Sequence, residues 1–353
     1  MRIRLAILEN DIGYLKRIVS VFNSKYSEKI EIYSFTDYEV ALNNLAVSKI
    51  DVLIASDVFE VDCKRIPQRC GFAYFVDSPN IDSVKNQVAI CKFQKADLIY
   101  KQILSLYSEK AADISGIRHG ETACKLIAFS SVAGGQGTST VAASCAVCFA
   151  QRSKRTLYLN LENFGSSDDF FDGDGQFTMS DVVYALKSKK SNIKLKLESS
   201  LKQDASGVCF FSQPKSPLDM MELNIEDKLR LLSELQSSGD FDYIVVDVNF
   251  GLDKETIEIF KKMQSIVLVE DGCEISNSKF LNMYNALSIL ENSIDISLIN
   301  RISLIYNKFS NKTSKQIEGV DLKIIGGAPR ILEAGTKQII MQLASMSIFD
   351  ELE

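Results

Sequence analysis

The stretch Phe129–Ser144, FSSVAGGQGTSTVAAS, joins an apolar run, LIAFSS, to an Ala- and Val-rich segment of helical composition. Gly134, Gly135 and Gly137 fall within four positions between the two. Glycines at that density let the backbone turn tightly, so that successive N–H groups face one concavity, and the helix that follows adds the partial positive charge of its N-terminus. A strand, a glycine-rich turn and a helix in that order fix an α/β class of fold and supply a cradle for an anion such as phosphate.

The loop follows the phosphate-binding pattern G-x-x-x-x-G-K-[ST] with two departures: Val132 stands for the first Gly, and Thr138 for the Lys. Ser139 stands where a hydroxyl would ligate a Mg²⁺ ion bridging the β- and γ-phosphates, with Thr140 as the next hydroxyl. Asp247, which ends the buried run YIVVD, suits the carboxylate that orients the water shell of that ion. Losing the lysine removes a cation from the phosphates, so Thr138 predicts weaker binding or slower phosphoryl transfer.

Around this core the chain reads as two doubly wound α/β domains. Over 1–110, strand signals (IRLAIL, KIEIYS, DVLIAS, GFAYFV) alternate with helical periodicity at 13–24, at 37–47 and within AICKFQKADLIYKQILSLYSE. Residues 111–122 lose the apolar period and read as a linker, with His119, the only histidine, inside it. Over 123–353, strands rich in Val, Ile and Leu are separated by amphipathic helices, the pattern of a parallel sheet covered on both faces.

Composition excludes several functions. One histidine leaves almost nothing from which to build a zinc site or a His-dependent triad. Eight cysteines are scattered, and the C-x-x-C at Cys145 and Cys148 lies in a helical pattern, so buried reduced thiols are expected. No apolar run approaches the ~20 residues of a membrane-spanning helix, and the first apolar run is too short for a signal peptide, so the expected location is cytoplasmic. Through residue 120 there are 16 Lys+Arg against 15 Asp+Glu, and beyond it 24 against 31, which argues against nucleic-acid binding by the larger domain. The lysines at 187, 189, 190, 194, 196 and 202 read as a solvated helix end and loop, contact with an acidic partner or phosphate being the alternative.

The order of motifs over 125–353 resembles the deviant-Walker ATPases of the ParA/MinD group: AGGQGTST for their [K]GGxGK[ST]T, NLE for a D-x-D, Asp247 for the Walker B aspartate, and Asn307-Lys308 for a late N-[KR]. Within that group GVCFFSQPKSPLDMMELN and FDYIVVDVNF are similar to segments of TadZ/CpaE pilus-assembly proteins, which also carry a receiver-like domain in front. The resemblance implies a P-loop NTPase domain that binds ATP and Mg²⁺. Gly134, Gly135, Gln136, Gly137, Thr138, Ser139 and Thr140 would wrap the phosphates, Ser139 would ligate Mg²⁺ and Asp247 would support it. Asn307 would bond the adenine, and 327–331, including Pro329, would close over it.

Two further departures bear on mechanism. The lysine with which this family reaches across a dimer corresponds to Ala133, and the aspartate that positions attacking water corresponds to Asn160, with Glu162 at the next acidic position. Asn can orient water but cannot act as a base. If each lost group is worth even ~10²-fold, hydrolysis is slow or absent. The resemblance implies a homodimer that localises other pilus-assembly or secretion components at the cell pole, near the inner membrane. Two alternatives are a partition protein with ATP-dependent DNA binding and a signalling protein controlled by phosphorylation of its front domain.

That front domain resembles a response-regulator receiver of the CheY-like, flavodoxin-like fold. Glu9 and Asp11 are its acidic pair, Ser56 aligns with the phosphoacceptor aspartate, Asp57 follows it, and Lys92-Phe93 resembles the receiver Lys-Pro-Phe without its proline. The resemblance implies a pseudo-receiver with its fold kept and its phosphorylation lost, phosphotransfer to Asp57 being the alternative. Tyr and Phe along 72–75 and 98–107 read as core. The C-terminal helix ends acidic, which points to packing on its own domain and not to a membrane surface.

Overall fold

Buried parallel strands need side chains that tolerate cover on both faces, and the Val/Ile/Leu runs meet that need in two separate sheets. The computed structural model describes residues 2–110, 124–188, 192–294 and 297–353. The linker over 111–122, His119, Lys189 and Lys190 lie outside the described residues.

In the front part, β1 (Ile3–Leu8), β2 (Ile30–Phe35), β3 (Val52–Ser56), β4 (Gly71–Val76), β5 (Ser83–Val84) and β6 (Gln87–Cys91) form one sheet in the order β2-β1-β3-β4-β6-β5. All pairs are parallel except the β5–β6 edge. Helices α1 (Ile12–Lys25), α2 (Tyr38–Val47) and α3 (Ala96–Lys110) accompany it. Asp11 and Asp37 start α1 and α2 by accepting the N–H groups of Tyr14 and Val40, each at 2.9 Å. This is the flavodoxin-like order that the resemblance implies, with one short strand added. Strand β6 was not read from the sequence: QVAIC is short, begins polar and follows two left-handed residues, Lys85 and Asn86.

The second sheet has the order β14-β13-β12-β7-β11-β8-β10-β9. Its strands are β7 (Lys125–Ser130), β8 (Thr156–Asn160), β9 (Lys202–Gln203), β10 (Cys209–Phe210), β11 (Tyr243–Asp247), β12 (Ser265–Glu270), β13 (Ile302–Phe309) and β14 (Lys323–Pro329). The helices are α4 (Thr138–Gln151), α5 (Met179–Ser188), α6 (Ile193–Ser200), α7 (Leu218–Met221), α8 (Ile225–Ser237), α9 (Lys254–Lys262), α10 (Glu274–Ile294) and α11 (Thr336–Ala344). Strand β7 lies between β12 and β11, so the crevice at its C-terminal end is where the direction of strand order reverses. Of the apolar run over 207–211, only Cys209 and Phe210 join the ladder.

Helix α4 is buried from Val141 to Phe149, and its small residues let it sit under the sheet. Its cysteines, Cys145 and Cys148, are free and buried as expected, whereas Cys63 is exposed. Ile340, Leu343 and Ala344 of α11, with Ile348, Phe349 and Leu352 after it, share one core with α4, so the C-terminal helix is covered by its own domain. Among the described residues no helix is long and apolar enough to cross a membrane.

The described residues of Met1–Gly116 and Tyr184–Ser200 group as one unit, and those of Ile117–Val183 and Leu201–Glu353 as the other. The sequence gives no hint of that first grouping. Leu195 of α6 packs on the core of the front sheet, Glu198 accepts from Lys29 at 2.5 Å and from Tyr100 at 3.2 Å, and Lys196 donates to Ser105 at 2.7 Å. Lys196 and Lys202 are buried, which corrects the reading of the lysine run as wholly solvated. The aromatic residues Phe72, Tyr74, Phe75, Tyr100 and Tyr107 are core, as expected.

Candidate functional site

The glycine-rich loop leaves β7 and enters α4 with Gly135 at φ +80° and Gly137 at φ +81°. Gly137 is the helix N-cap in the left-handed region. A Cβ there would stand 2.6 Å from the side-chain nitrogen of Asn307, so both conformation and space require glycine. Gly134 and Gly135 are exposed, Gln136 is buried with its amide donating to Ser276 at 2.9 Å, and Thr138, Ser139 and Thr140 are half-buried in the first turn of α4.

Two side chains at the end of β13 tie this loop down. Asn307 donates to the carbonyl of Gln136 at 2.8 Å, and Lys308 donates to that of Gly135 at 2.7 Å. Burial and then Arg330 push the Lys308 ammonium below its ordinary range. The role of Lys308 was not read beyond its place in the motif, because no sequence spacing brings residue 308 to residue 135. Pro329, exposed at the end of β14, pairs with Phe309 and lines a cavity of ≈ 690 Å³ together with Tyr306, Asn311 and Gln316. Strand β14 itself was missed, because Gly326 and Gly327 interrupt its apolar run.

Beneath α4's first turn lie two carboxylates. Asp247 ends β11 fully buried; its Oδ2 accepts from the Tyr158 hydroxyl at 2.7 Å, and its Oδ1 has no hydrogen-bond partner of ordinary geometry. Burial and the nearby Glu162 push its carboxyl up to about 7, while Tyr158 and Ser139 pull the other way. Glu162 is likewise raised by burial and lowered by Ser139. Ser139, Asp247 and Glu162 therefore converge. Asn160 has a different job: its Oδ1 accepts the N–H of Glu162 at 2.8 Å, which shapes the turn after β8, and a Cβ at Gly165 would collide with it at 2.4 Å.

This donor set fits Mg²⁺. A buried carboxylate with one oxygen unspent and a helix-terminal hydroxyl are hard oxygen donors, and Mg²⁺ in phosphate sites takes few protein ligands beside substrate and water. Thr138 and Ala133 place no cation in the loop, and Ala133 is buried.

A third carboxylate, Glu270 at the end of β12, is fully buried. Burial and then Asp271 push it up to about 8, opposed by the Val132 backbone. Neither of its oxygens completes a hydrogen bond of ordinary geometry, so Val132 acts on it only at longer range.

In the front domain the receiver positions are also drawn together. Lys92 reaches Glu9 at 3.0 Å and Asp77 at 3.3 Å, and donates to the Ser56 hydroxyl at 3.3 Å. Glu9 and Ser56 are fully buried. Asp11 is occupied as the cap of α1, and the N–H of Tyr14 holds its carboxyl below the ordinary range. Asp57 is exposed, its N–H bonded to the Phe75 carbonyl. A comparison with family models matches residues 1–108 to the TadZ-like receiver domain.

Beyond those residues the fold resembles that of a ParA family ATPase. A ParA family ATPase from Chlorobium tepidum superposes with a TM-score of 0.51 at 15% identity, covering 65% of this chain and 96% of that one. MinD of the Aquifex aeolicus MinC:MinD complex (TM-score 0.48, 16% identity, 65% and 95% covered) and MinD of Pyrococcus horikoshii complexed with Mg-ADP (0.48, 15%, 63% and 94%) are further neighbours. None of the curated proteins matches the sequence.

Proposed function

We propose that this chain is an ATP-binding localisation and assembly factor for a Tad-class (type IVb) pilus machine, a homodimer in the cytoplasm at the cell pole with weak or absent hydrolysis. The observation that carries the reading is a phosphate-type loop that keeps its Ser139, Asp247 and Glu162 cluster while both lysine positions hold Thr138 and Ala133, behind a TadZ-like domain.

In this reading the loop from Gly134 to Thr140 would bind phosphate oxygens, Ser139 and Asp247 would hold Mg²⁺, and Asn307, fixed against Gln136, would bond the adenine, with Pro329 in the segment that would close over the base. Mg²⁺, when bound, neutralises charge between the β- and γ-phosphates. With no lysine at 133 or 138, and with Lys308 bonded to the Gly135 carbonyl, the site stabilises the bound triphosphate better than it stabilises the charge that develops during transfer, so ATP acts as a conformational ligand more than as a fuel. Glu162 is the remaining group able to orient water. The signalling alternative is disfavoured by Lys92, whose ammonium already lies against Glu9 and Ser56.

Native mass measurement of the purified chain tests this directly. The expected result is a dimer carrying intact ATP; a monomer without nucleotide, or a dimer that turns ATP over at the rate of ordinary P-loop ATPases, contradicts it.

A further inference from the structure

Asp247 is not oriented by the loop alone. Tyr158 of β8 pairs in register with Val245 of β11, two residues before Asp247, so residues 158, 160, 245 and 247 share one face of the sheet. The Tyr158 ring is fully buried against Phe170 and Phe171, which leaves its hydroxyl one direction to reach. It donates to Asp247 Oδ2 at 2.7 Å and accepts from the Asn160 side-chain amide at 3.5 Å. The other Asp247 oxygen is left unpaired.

Leu157 and Leu159 fill their positions on β8 with hydrocarbon. A phenol in such a place needs a partner for its hydroxyl, and the partner here is Asp247, whose second oxygen has no hydrogen-bond partner of ordinary geometry. A carboxylate free to turn about its last bond offers either oxygen in many directions; one with Oδ2 fixed offers Oδ1 in one. We propose that Tyr158 is a positioning residue for the cation site, holding Asp247 Oδ2 so that Oδ1 stays directed to the metal and its water. This rests on the nucleotide reading given above. Partners of this kind set metal affinity by about 10- to 100-fold.

The test uses the full chain and a non-hydrolysable ATP analogue, titrated with excess Mg²⁺ and again with EDTA. Tyr158→Phe removes one oxygen and keeps the ring, and its thermal midpoint without metal checks the fold. The expected result is a metal-free affinity within about threefold of wild type, with the Mg²⁺ enhancement reduced by about 10- to 100-fold. Asp247→Asn should remove the enhancement, and adding Tyr158→Phe to it should change nothing more. An intact enhancement in Tyr158→Phe, or an equal loss with and without Mg²⁺, overturns the proposal. A wild-type chain that binds the analogue in neither condition overturns the nucleotide reading itself, and the role of Tyr158 with it.

Discussion

Asn307 and Gln136 lie 171 positions apart and are joined by one buried hydrogen bond, from the Asn307 amide to the Gln136 carbonyl at 2.8 Å. The bond fixes the middle of the phosphate-type loop to the end of β13, so whatever the loop binds is aligned with the groups on that strand. Removing it leaves a buried carbonyl unsatisfied, a cost of about 1–3 kcal/mol. Asn307→Ala should therefore weaken ATP binding by at least about tenfold and lower the thermal midpoint by several degrees. Gly137→Ala should do more, because the new methyl meets Asn307 and the backbone is left-handed there. Calorimetric titration with ATP checks both, and unchanged affinity in either variant would count against the site.

The front domain makes a separate forecast. Lys92 compensates the fully buried Glu9, and breaking such a pair from one side costs about 3–5 kcal/mol. Lys92→Met should lower stability by that order, and adding Glu9→Gln should recover most of it. Acetyl phosphate should add no mass to the wild-type chain, since the Lys92 ammonium lies on Ser56 and Asp57 is exposed outside the pocket. Denaturant unfolding and intact-mass measurement are the two checks; a phosphoryl adduct lost in Asp57→Asn would restore the signalling alternative.

Glu270 gives a pH dependence with a definite sign. Its folded-state pKa, about 8, lies above the ordinary 4.5, so the folded chain favours the protonated form. Its contribution to stability is fully present below about pH 4.5 and is lost as pH rises toward 8. At about 1.4 kcal/mol per unit, the loss reaches up to about 5 kcal/mol. Glu270→Gln should raise the thermal midpoint at pH 8 and leave it nearly unchanged at pH 4.5. Equal midpoint shifts at both values would show that the carboxyl is not the titrating group.

The site was more legible than its supports. Strand β7, its loop, α4 and Asp247 could be read because a buried parallel strand is a continuous apolar run and because phosphate cradles need glycine at fixed spacing. Lys308, Tyr158 and Glu270 could not. Each is a single residue whose meaning depends on a partner far along the chain, and a tyrosine in YLN reads as core until the register brings it to Asp247. The same applies to α6: IKLKLESS has a weak apolar face because Lys196 buries its own stem and finds Ser105.

Helix α6 also carries a test of the grouping of residues 184–200 with the front sheet. Leu195 lies against that sheet's core, and Glu198 is bonded to Lys29 and Tyr100. A charge at 195 would have to be buried or the helix released, at about 1–3 kcal/mol. Leu195→Asp should increase hydrogen exchange along α3 while leaving α4 protected. Exchange that rises instead along α4 would place α6 with the other sheet.

Among the described residues beside Ser139, Asp247 is assigned to the cation and Asn160 is committed to the turn, which leaves Glu162 to orient water. If residual hydrolysis exists, Glu162→Gln should remove about 10²-fold of it, while Asn160→Ala acts mainly by loosening the turn and lowers stability and rate together. Burial raises the Glu162 carboxyl, so the residual rate should increase with pH as that carboxyl ionises. Single-turnover measurements from pH 5 to 8 on full-length wild type and Glu162→Gln decide it. A wild-type rate flat in pH and equal to that of the variant would mean that Glu162 does not act on the water, and that the slow turnover belongs to the bound triphosphate alone.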